Sequence, residues 1–299
     1  LMPCRGAWDR LDLYHGPNFK MHTTGRSGGI VTIHDLWLAR HPEYSRKLLG
    51  QAGSSRRAIA TANRARRVVT VSEFSAREIE ALYGIPRERV VVIHNGVTEE
   101  FSPVQDEQGM AVLRARWAIP SAGFILFVGG ADPRKNHRVF LQAVAQSRSQ
   151  LGGRAILLVG DAEHPQGSYL ATARSLGLEQ DVRCTGRLNR EDLCRLYSYA
   201  EVFVFPSLYE GFGMPVLEAM ACGAPTITSS TSSLPEVAGD AALLVNPEDA
   251  EALGAAMVKV LSEQALQQQL RDRGFERTRL FTWQRAALRT SALYRELCA

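Results

Sequence analysis

The sequence predicts an α/β protein of two domains, each built on a parallel β-sheet with helices on both faces. Three observations support this. Short apolar runs alternate with segments of helical periodicity along the chain, which is typical of parallel strands joined by helices. A chain of 299 residues can bury two separate cores. One apolar strand also leads through a glycine turn straight into a helix, an order that favours anion binding.

Strands are expected where apolar residues suited to a sheet interior follow one another. These runs are residues 30–33, 68–71, 90–93, 124–128, 155–159, 182–185, 202–205 and 226–228.

Local signals mark two of the helices between these strands. Ser75 and Glu78 have the spacing of a capping box, and Gly84 is expected to end that helix. Asn189 can cap the helix that follows the strand at 182–185.

A last helix is expected over residues 284–297, with Thr282 as its cap. One stripe of this helix should face the core, and its residues are Ala287, Leu288, Ser291, Tyr294 and Leu297.

The polar segment 95–103 follows an expected strand and contains Gly96 and Pro103, so we interpret it as the linker between domains. The first domain is then residues 1–103, and the second is residues 104–283.

Composition predicts an ordinary globular protein, with 22% charged residues, 45% hydrophobic residues and a net charge of +4. The five cysteines form no Cys-x-x-Cys pair, which favours a reducing compartment. No apolar run reaches the length of about 18 residues that a transmembrane helix needs. The first residues lack the apolar core of a signal peptide, so we expect a cytoplasmic protein.

Residues 54–67 hold five arginines and no acid, in the stretch from Arg56 to Arg67. Two interpretations remain open: a solvated helix face, or a surface for peripheral contact with anionic lipid on the inner face of a membrane or with an anionic acceptor. No aromatic residues interleave with these arginines, so nucleic acid binding is not expected.

The richest segment is Pro206–Pro225, in which Glu210 and Glu218 lie on either side of a glycine turn that opens a helix. Gly211 and Gly213 let a ligand approach the free N–H groups of the turn, and Pro215 suits the first helical position. A helix N-terminus of this kind readily holds phosphate. Because carboxylates repel phosphate, the glutamates are expected to accept hydrogen bonds from sugar or ribose hydroxyls beside it.

Arg134 and Lys135 follow the strand at 124–128 and could bind phosphate oxygens, although exposed cations at a helix start are a common alternative. Asp161 and Glu163 also follow a strand and offer weak support for a cation site. We expect no required metal or cofactor.

Glu210 and Glu218 resemble the Glu-x7-Glu motif of retaining GT-B glycosyltransferases, particularly the large family 4 that includes bacterial mannosyltransferases. The resemblance extends in order along most of the chain. Its other segments are residues 31–35, 71–75, 92–97, 127–136, 185–188 and 233–239.

The resemblance implies a GT-B fold of two Rossmann-like domains, in which the last helix, 284–299, packs back on the N-terminal domain. It also implies that this N-terminal domain is shortened, either incomplete or reduced. The part that the resemblance marks as missing is the first strand and its glycine-rich loop.

The resemblance assigns roles to most of the candidate site. Glu210 contacts the donor sugar, and Arg134 and Lys135 stabilise the diphosphate. Glu218 accepts from the ribose. Backbone groups complete the donor site, from Gly130, Gly186, Arg187, Leu188, Gly211, Phe212, Gly213, Met214, Pro215 and Val216.

Histidines of the first domain are weaker candidates. His34 ends a strand in a segment that resembles the part of the family facing the transferred sugar, with Asp35 next to it. His15 could line an acceptor cleft or serve only in a turn. His94 is interpreted as a buried residue of the hinge.

The function expected from the resemblance is transfer of a hexose from a nucleotide diphosphate sugar to a carbohydrate or lipid-linked acceptor, with retention by same-face displacement and without a metal. GDP-mannose is the first expectation for the donor and a UDP-sugar the second. A nucleotide-sugar-binding fragment without catalysis is the alternative.

Overall fold

The structure, a computed structural model, describes residues 11–21, 28–41, 52–164 and 167–299. The chain divides into two units. Unit 1 comprises Leu1–Gly96 and Phe281–Ala299, and unit 2 comprises Val97–Leu280. The sequence analysis puts the domain boundaries after residues 103 and 283, a few residues further along the chain than the divisions after Gly96 and Leu280.

The described strands are, in chain order, β1 (Tyr14–Gly16), β2 (Gly29–Ile33), β3 (Arg67–Thr70), β4 (Val90–Val92), β5 (Phe124–Val128), β6 (Ala155–Val159), β7 (Glu163–His164), β8 (Gly167–Ser168), β9 (Val182–Gly186), β10 (Val202–Phe205), β11 (Thr226–Ser229) and β12 (Ala242–Val245). The strands expected from apolar runs are confirmed within about one residue at each end. The sequence reasoning missed β1, the short β7 and β8, and β12.

The described α-helices are α1 (Trp37–Arg40), α2 (Ala52–Arg64), α3 (Glu73–Tyr83), α4 (Glu107–Arg116), α5 (His137–Ser147), α6 (Tyr169–Ser175), α7 (Arg190–Tyr199), α8 (Met214–Ala221), α9 (Leu234–Ala238), α10 (Ala250–Ser262), α11 (Gln264–Thr278) and α12 (Trp283–Cys298). Short 3-10 turns cover Arg87–Arg89, Pro133–Lys135 and Arg148–Gln150.

Unit 1 contains a parallel sheet whose described strands run in the order β1-β2-β3-β4. Side chains of a strand point alternately to its two faces, so the strands of this sheet contribute residues to one apolar core on each face. On one face Val31 packs with Ala62 of α2 and Ile79 of α3. On the other face Ile30 packs with Leu293 of α12.

The start of α3 differs from the expectation. Ser72, not Ser75, caps the helix, and its Oγ accepts a hydrogen bond of 3.0 Å from the Ser75 N–H. Glu78 does not reach back to the cap; its carboxylate receives Arg40 Nη2 at 2.7 Å. The predicted capping box is therefore wrong, because the helix begins at Glu73 and Ser75 lies inside its first turn instead of at the cap. Gly84 does end the helix, with φ +64°.

The caps of two further helices are confirmed. Asn189 Oδ1 accepts from the Asp192 N–H at 2.8 Å at the start of α7. Thr282 Oγ1 accepts from the Arg285 N–H at 3.2 Å at the start of α12.

The buried face of α12 is only partly the expected one. Leu297 is buried and Tyr294 half-buried, but Leu288 is 61% exposed. The buried stripe instead includes Leu293, which lies one turn before Leu297 and packs with it against the sheet. Hydrophobicity alone favoured Leu288, whereas the contact with the sheet selects the face.

Unit 2 contains a parallel sheet with the strand order β12-β11-β10-β5-β6-β9. From the central β5 the chain builds outward through β6 and β9, and it then returns to the other side of β5 with β10. Such a reversal leaves a crevice between the loops after the two central strands, where open α/β sheets bind ligands. These loops are residues 129–136 and 206–213.

Candidate functional site

An ion pair joins the two loops at this crevice. Lys135 Nζ lies 2.6 Å from Glu210 Oε1, and the two side chains are only 17% and 12% exposed. The same ammonium group lies 5.0 Å from the centre of the Phe205 ring, a cation–π distance. Glu210 Oε2 makes no hydrogen bond with any residue that the structure describes. The pair therefore fixes one carboxylate oxygen and leaves the other for a ligand.

Backbone contacts fasten the same loops together. The Leu208 N–H donates to the Arg134 carbonyl at 2.8 Å. Ser207 Oγ lies 2.9 Å from that carbonyl and 2.6 Å from Glu210 Oε1. The buried Asn136 amide donates to the Pro206 carbonyl at 3.0 Å. The position of Lys135 relative to Glu210 is thus set by the backbone as well as by the ion pair.

The two predicted phosphate cations have different surroundings. Arg134 donates from Nε and Nη2 to Asp132 Oδ2 at 3.1 and 3.0 Å, and its own N–H donates to Asp132 Oδ1. Burial would raise the pKa of Asp132, but the hydrogen bonds and charge of Arg134 outweigh it, so that pKa is lowered. Asp132 therefore stays ionised and holds the Arg134 guanidinium, whereas Lys135 faces the loop of Glu210.

The glycine turn before α8 has the conformation that its sequence demands. Gly213 has φ +108°, and a Cβ there would lie 2.7 Å from Leu234 Cδ2. Among the predicted backbone donors, Val216 N–H already donates to the Gly213 carbonyl at 3.0 Å. The N–H groups of Gly213 and Met214 make no hydrogen bond within the described residues. A short anion-binding backbone therefore remains at the start of the helix.

Glu218 lies on α8, half-buried, and its Oε2 accepts a hydrogen bond of 3.3 Å from the Tyr197 hydroxyl. Burial raises the pKa of Glu218, while Tyr197 and the charge of Arg190 act in the opposite direction. Its Oε1 makes no hydrogen bond to the described part of the chain. Like Glu210, this glutamate has one oxygen held and one available.

A cleft of about 490 Å³ opens along the loops that follow β5, β6 and β9. It brings together four predicted site residues: Gly130, Lys135, Arg187 and Leu188. Asp161, Glu163 and His164 line its other side. Glu218 and the turn at 211–216 are not part of the lining that the structure describes for this cleft.

Arg187 forms an ion pair with Asp161, with 2.6 Å between Nη2 and Oδ2. Hydrogen bonds from Arg187 lower the pKa of Asp161. Gly186, with φ +71°, accepts at its carbonyl from the Gly160 N–H at 3.0 Å. The Asp161 carboxylate considered for a cation is thus occupied by an arginine. Within the described ranges, no three His, Cys, Asp or Glu side chains cluster as a metal ion would require.

Two family models match this chain in succession. The model described as Glycosyltransferase Family 4 matches residues 5–101, and the one described as Glycosyl transferases group 1 matches residues 112–277. The chain belongs to the family 4 glycosyltransferases.

Two curated relatives carry mannosyltransferase names. O-antigen chain mannosyltransferase B of Escherichia coli is 32% identical over 304 residues, which cover 99% of this chain and 78% of that protein. The serotype-specific mannosyltransferase WbdA of Escherichia coli is 34% identical over 233 residues, 77% of this chain. The matched part is only 28% of WbdA.

The fold is also that of known glycosyltransferases. Sucrose-phosphate synthase from Thermosynechococcus elongatus superimposes with a TM-score of 0.75 and 27% identity, covering 95% of this chain and 73% of that one. The family 4 glycosyltransferase therefore has the GT-B fold, as the sequence motifs predict.

In unit 1 of the family 4 glycosyltransferase, His34 follows β2 and is half-buried. Its Nε2 lies 2.9 Å from the Pro17 carbonyl oxygen, and its ring lies 5.9 Å from the Phe19 ring. Asp35 Oδ1 accepts from the Trp37 N–H at 3.0 Å, at the start of the short α1. One oxygen of Asp35 is thus held, and His34 stays the stronger candidate of this pair for contact with the sugar.

The other two histidines have structural contacts. Both ring nitrogens of His15 are engaged, Nδ1 with the Tyr294 hydroxyl at 2.5 Å and Nε2 with Thr32 Oγ1 at 2.7 Å. Burial, and next the charge of His34, lower the pKa of His15. This occupancy argues against an acceptor contact by His15. His94 is half-buried beside the Phe281 ring at 5.4 Å, near both chain crossings between the units.

Sequence reasoning missed several residues that shape the site. Asp132 accepts hydrogen bonds from Arg134, and Ser207 hydrogen-bonds to Glu210. Tyr197 contacts Glu218 from another helix. Gly160 lets β6 approach the backbone of Gly129. Gly160 follows a strand, so its signal was visible; the pairing of Tyr197 with Glu218 had none, because it joins residues of separate helices.

Proposed function

We propose that this glycosyltransferase moves mannose from GDP-mannose to a carbohydrate or lipid-linked acceptor, with retention of the anomeric configuration and without a metal ion. The observation that carries the proposal is the Lys135–Glu210 pair at the crevice between β5 and β10. It supports the proposal because a cation suited to a diphosphate lies 2.6 Å from a carboxylate whose second oxygen is suited to sugar hydroxyls. The mannosyltransferase names of O-antigen chain mannosyltransferase B and WbdA support mannose as the sugar.

The diphosphate is the leaving group, and its negative charge grows as the glycosidic bond breaks. Fixed cations and N–H groups aimed at that charge lower the barrier, since they need no reorganisation during the reaction. We assign the diphosphate charge to Lys135, assisted by Arg134. The free N–H groups of Gly213 and Met214 are assigned to the same charge. These cations and N–H groups stabilise the negative charge of the leaving diphosphate, which a divalent cation does in other enzymes.

The carboxylates are assigned to hydroxyl groups. Glu210 Oε2 accepts from the mannose hydroxyls, and Glu218 Oε1 accepts from the ribose. Gly130, Arg187 and Leu188 line the cleft assigned to the base, and Gly186 ends the strand directly before Arg187. His34 of unit 1 is assigned to the transferred sugar.

Retention follows from same-face displacement. The bond from the anomeric carbon to the phosphate oxygen breaks, and the acceptor oxygen bonds to the same face of that carbon. The acceptor proton passes to the departing phosphate, so no protein base is required if the two groups are held within hydrogen-bond distance. Glu210 serves as a positioning group, because its Oε1 is held by Lys135 and Ser207.

The first prediction concerns the donor. GDP-mannose and GDP at about 100 times Kd should raise the melting temperature by roughly 5–10 °C, because binding to the native state adds about 2.7 kcal/mol. UDP-glucose and ADP-glucose should give clearly smaller shifts, measured by thermal denaturation in EDTA. A shift with UDP-sugars alone would replace GDP-mannose as the donor, and no shift with any nucleotide would remove the nucleotide-sugar proposal.

Product analysis tests the rest of the proposal. With GDP-α-mannose, a mannose oligosaccharide acceptor and EDTA, proton NMR of the early product should show an α-linkage. A β-linked product would overturn retention. Dependence on added magnesium or manganese would overturn the metal-independent reaction.

We also propose peripheral contact with an anionic membrane through the arginines of α2. Ala58 and Ala62 face the core of unit 1, whereas Arg56, Arg57 and Arg64 are exposed. These three arginines make no ion pair with the residues that the structure describes. None of the described helices is long and apolar enough to cross a bilayer.

The second prediction tests that surface. The protein should co-sediment with phosphatidylglycerol vesicles and not with phosphatidylcholine vesicles, and binding should weaken as salt rises. Replacing Arg56, Arg57 and Arg64 with alanine should weaken binding by at least about tenfold, since each arginine contributes about 1 kcal/mol near the surface. The variant should keep its donor-induced thermal shift. Equal binding by the variant would assign the arginines to a solvated helix face.

A further inference from the structure

The hydroxyl of Tyr197 has no evident purpose in packing. Tyr197 lies on α7 with its side chain fully buried, and its ring packs edge-on against Phe203 at 5.3 Å between centroids. Phenylalanine would fill the same space. The hydroxyl makes one hydrogen bond to the described residues, and that bond goes to Glu218 Oε2. A buried polar atom costs free energy unless it is paired, so this contact is the reason for a tyrosine here.

The groups that face Glu218 make Tyr197 its principal hydrogen-bond donor. Arg190, at the start of α7, acts on Glu218 through charge. The thiols of Cys194 and Cys222 lie nearby, and burial raises the pKa of both, so they stay neutral. Burial also raises the pKa of Tyr197 well above its ordinary value, so the phenol keeps its proton and can only donate to a carboxylate. Glu218 therefore has one fixed donor at Oε2.

We propose that the Tyr197 hydroxyl is a positioning group, which turns Glu218 so that its second oxygen accepts from the ribose of the donor nucleotide and which keeps that carboxylate charged. This inference rests on the proposed function, because it assumes that Glu218 Oε1 meets the ribose hydroxyls. It adds a residue outside the Glu-x7-Glu segment, on the preceding helix, to the recognition of ribose.

The test compares GDP with 2′,3′-dideoxy-GDP by titration calorimetry on the whole chain. The unchanged protein should prefer GDP. Tyr197→Phe should weaken GDP binding by about fivefold, because a carboxylate that is no longer held makes a poorer hydrogen bond to the ribose, and leave the dideoxy nucleotide nearly unaffected. Tyr199→Phe is the matched control. It lies on the same helix, but its hydroxyl contacts Glu107 Oε1 and the Asp106 N–H.

The pH dependence supplies a readout that a purely structural role would not move. Affinity for GDP falls on acidification as Glu218 gains a proton. The Tyr197 hydrogen bond lowers the pKa of Glu218, so Tyr197→Phe raises it. The loss of affinity should then begin at a higher pH in Tyr197→Phe than in the unchanged protein or in Tyr199→Phe.

A double variant separates loss of this contact from loss of folding. In a Glu218→Gln background, Tyr197→Phe should have no further effect on the preference for GDP. A preference that survives in a folded Tyr197→Phe variant, with an unchanged pH profile, would overturn the role of Tyr197 and leave the proposed function intact. If the unchanged protein binds both nucleotides equally, the ribose role of Glu218 fails, and the inference fails with it.

Discussion

Replacing Lys135 with methionine should lower kcat/KM for mannosyl transfer by about 100-fold to 1,000-fold, the usual effect of removing one preorganised charge from a transition state. Methionine keeps much of the apolar stem of lysine but has no ammonium group for the diphosphate, and it also loses the cation–π contact with Phe205. The measurement is initial-rate kinetics with GDP-mannose, with circular dichroism to show that the fold is retained.

Arg134→Met is the matched control, because the neighbouring cation belongs to the same motif. Arg134 is held by Asp132 and, unlike Lys135, is not part of the lining that the structure describes for the cleft, so we expect a smaller loss, about tenfold. Equal losses in both variants would mean that the Asp132 contact does not separate the two cations. A Lys135→Met enzyme with normal kinetics would overturn the assignment of Lys135 to the diphosphate.

Lys135→Met also leaves the Glu210 carboxylate without its partner in a largely buried place, which destabilises proteins. The variant Lys135→Met with Glu210→Gln should recover thermal stability without recovering activity. This outcome would separate the structural part of the ion pair from its part in catalysis.

Gly160→Ala should give the largest loss of stability, about 3–5 kcal/mol or roughly 10 °C in melting temperature. Gly160 has φ +129°, a conformation that L side chains rarely adopt. An added Cβ would also meet backbone, 2.6 Å from the Gly129 carbonyl carbon. A rotamer change cannot relieve the clash, because the Cβ has no rotamers and the atoms that it meets belong to the main chain of Gly129. Both glycines line the cleft along the loops after β5, β6 and β9.

Gly153→Ala is the control for this prediction. Gly153 also has a positive φ, +70°, but nothing lies within 4 Å of the added Cβ. We expect it to cost about 1 kcal/mol, the backbone term alone. Equal melting temperatures for the two variants, measured by calorimetry, would show that the approach of β6 to Gly129 is not tight.

Much of the fold could be predicted from the sequence, because the signals are local. An apolar run such as Phe124–Val128 predicts a buried strand wherever it lies, and the Asn189 and Thr282 caps act on N–H groups three residues away. The Ser75–Glu78 pattern shows the limit of this reasoning. Two serines, Ser72 and Ser75, could each cap this helix, and the structure uses the first of them. The distant Arg40 binds the Glu78 carboxylate, which sequence spacing does not indicate.

The candidate site likewise has residues that local sequence signals reveal and partner residues that they do not. The Gly213 turn could be found because its glycines are a local signal. The cations after β5 could be found because their segment also matches the family motif, which outweighs the common alternative of exposed cations at a helix start. The partners of those groups were not. Asp132 on Arg134, Asp161 on Arg187 and Tyr197 on Glu218 are pairings in space, and sequence spacing does not determine them.

The sequence by itself determined the alternation of strands and helices, the glycine turn between two glutamates and the family 4 motifs. These properties depend on residues close together in the chain. Only the tertiary structure decided that Lys135 meets Glu210 across 75 positions, which face of α12 is buried, and which oxygen of each glutamate is available. The physical reason is that side-chain pairing depends on the strand order of the sheet, which brings β10 beside β5 and so joins loops that are remote in sequence.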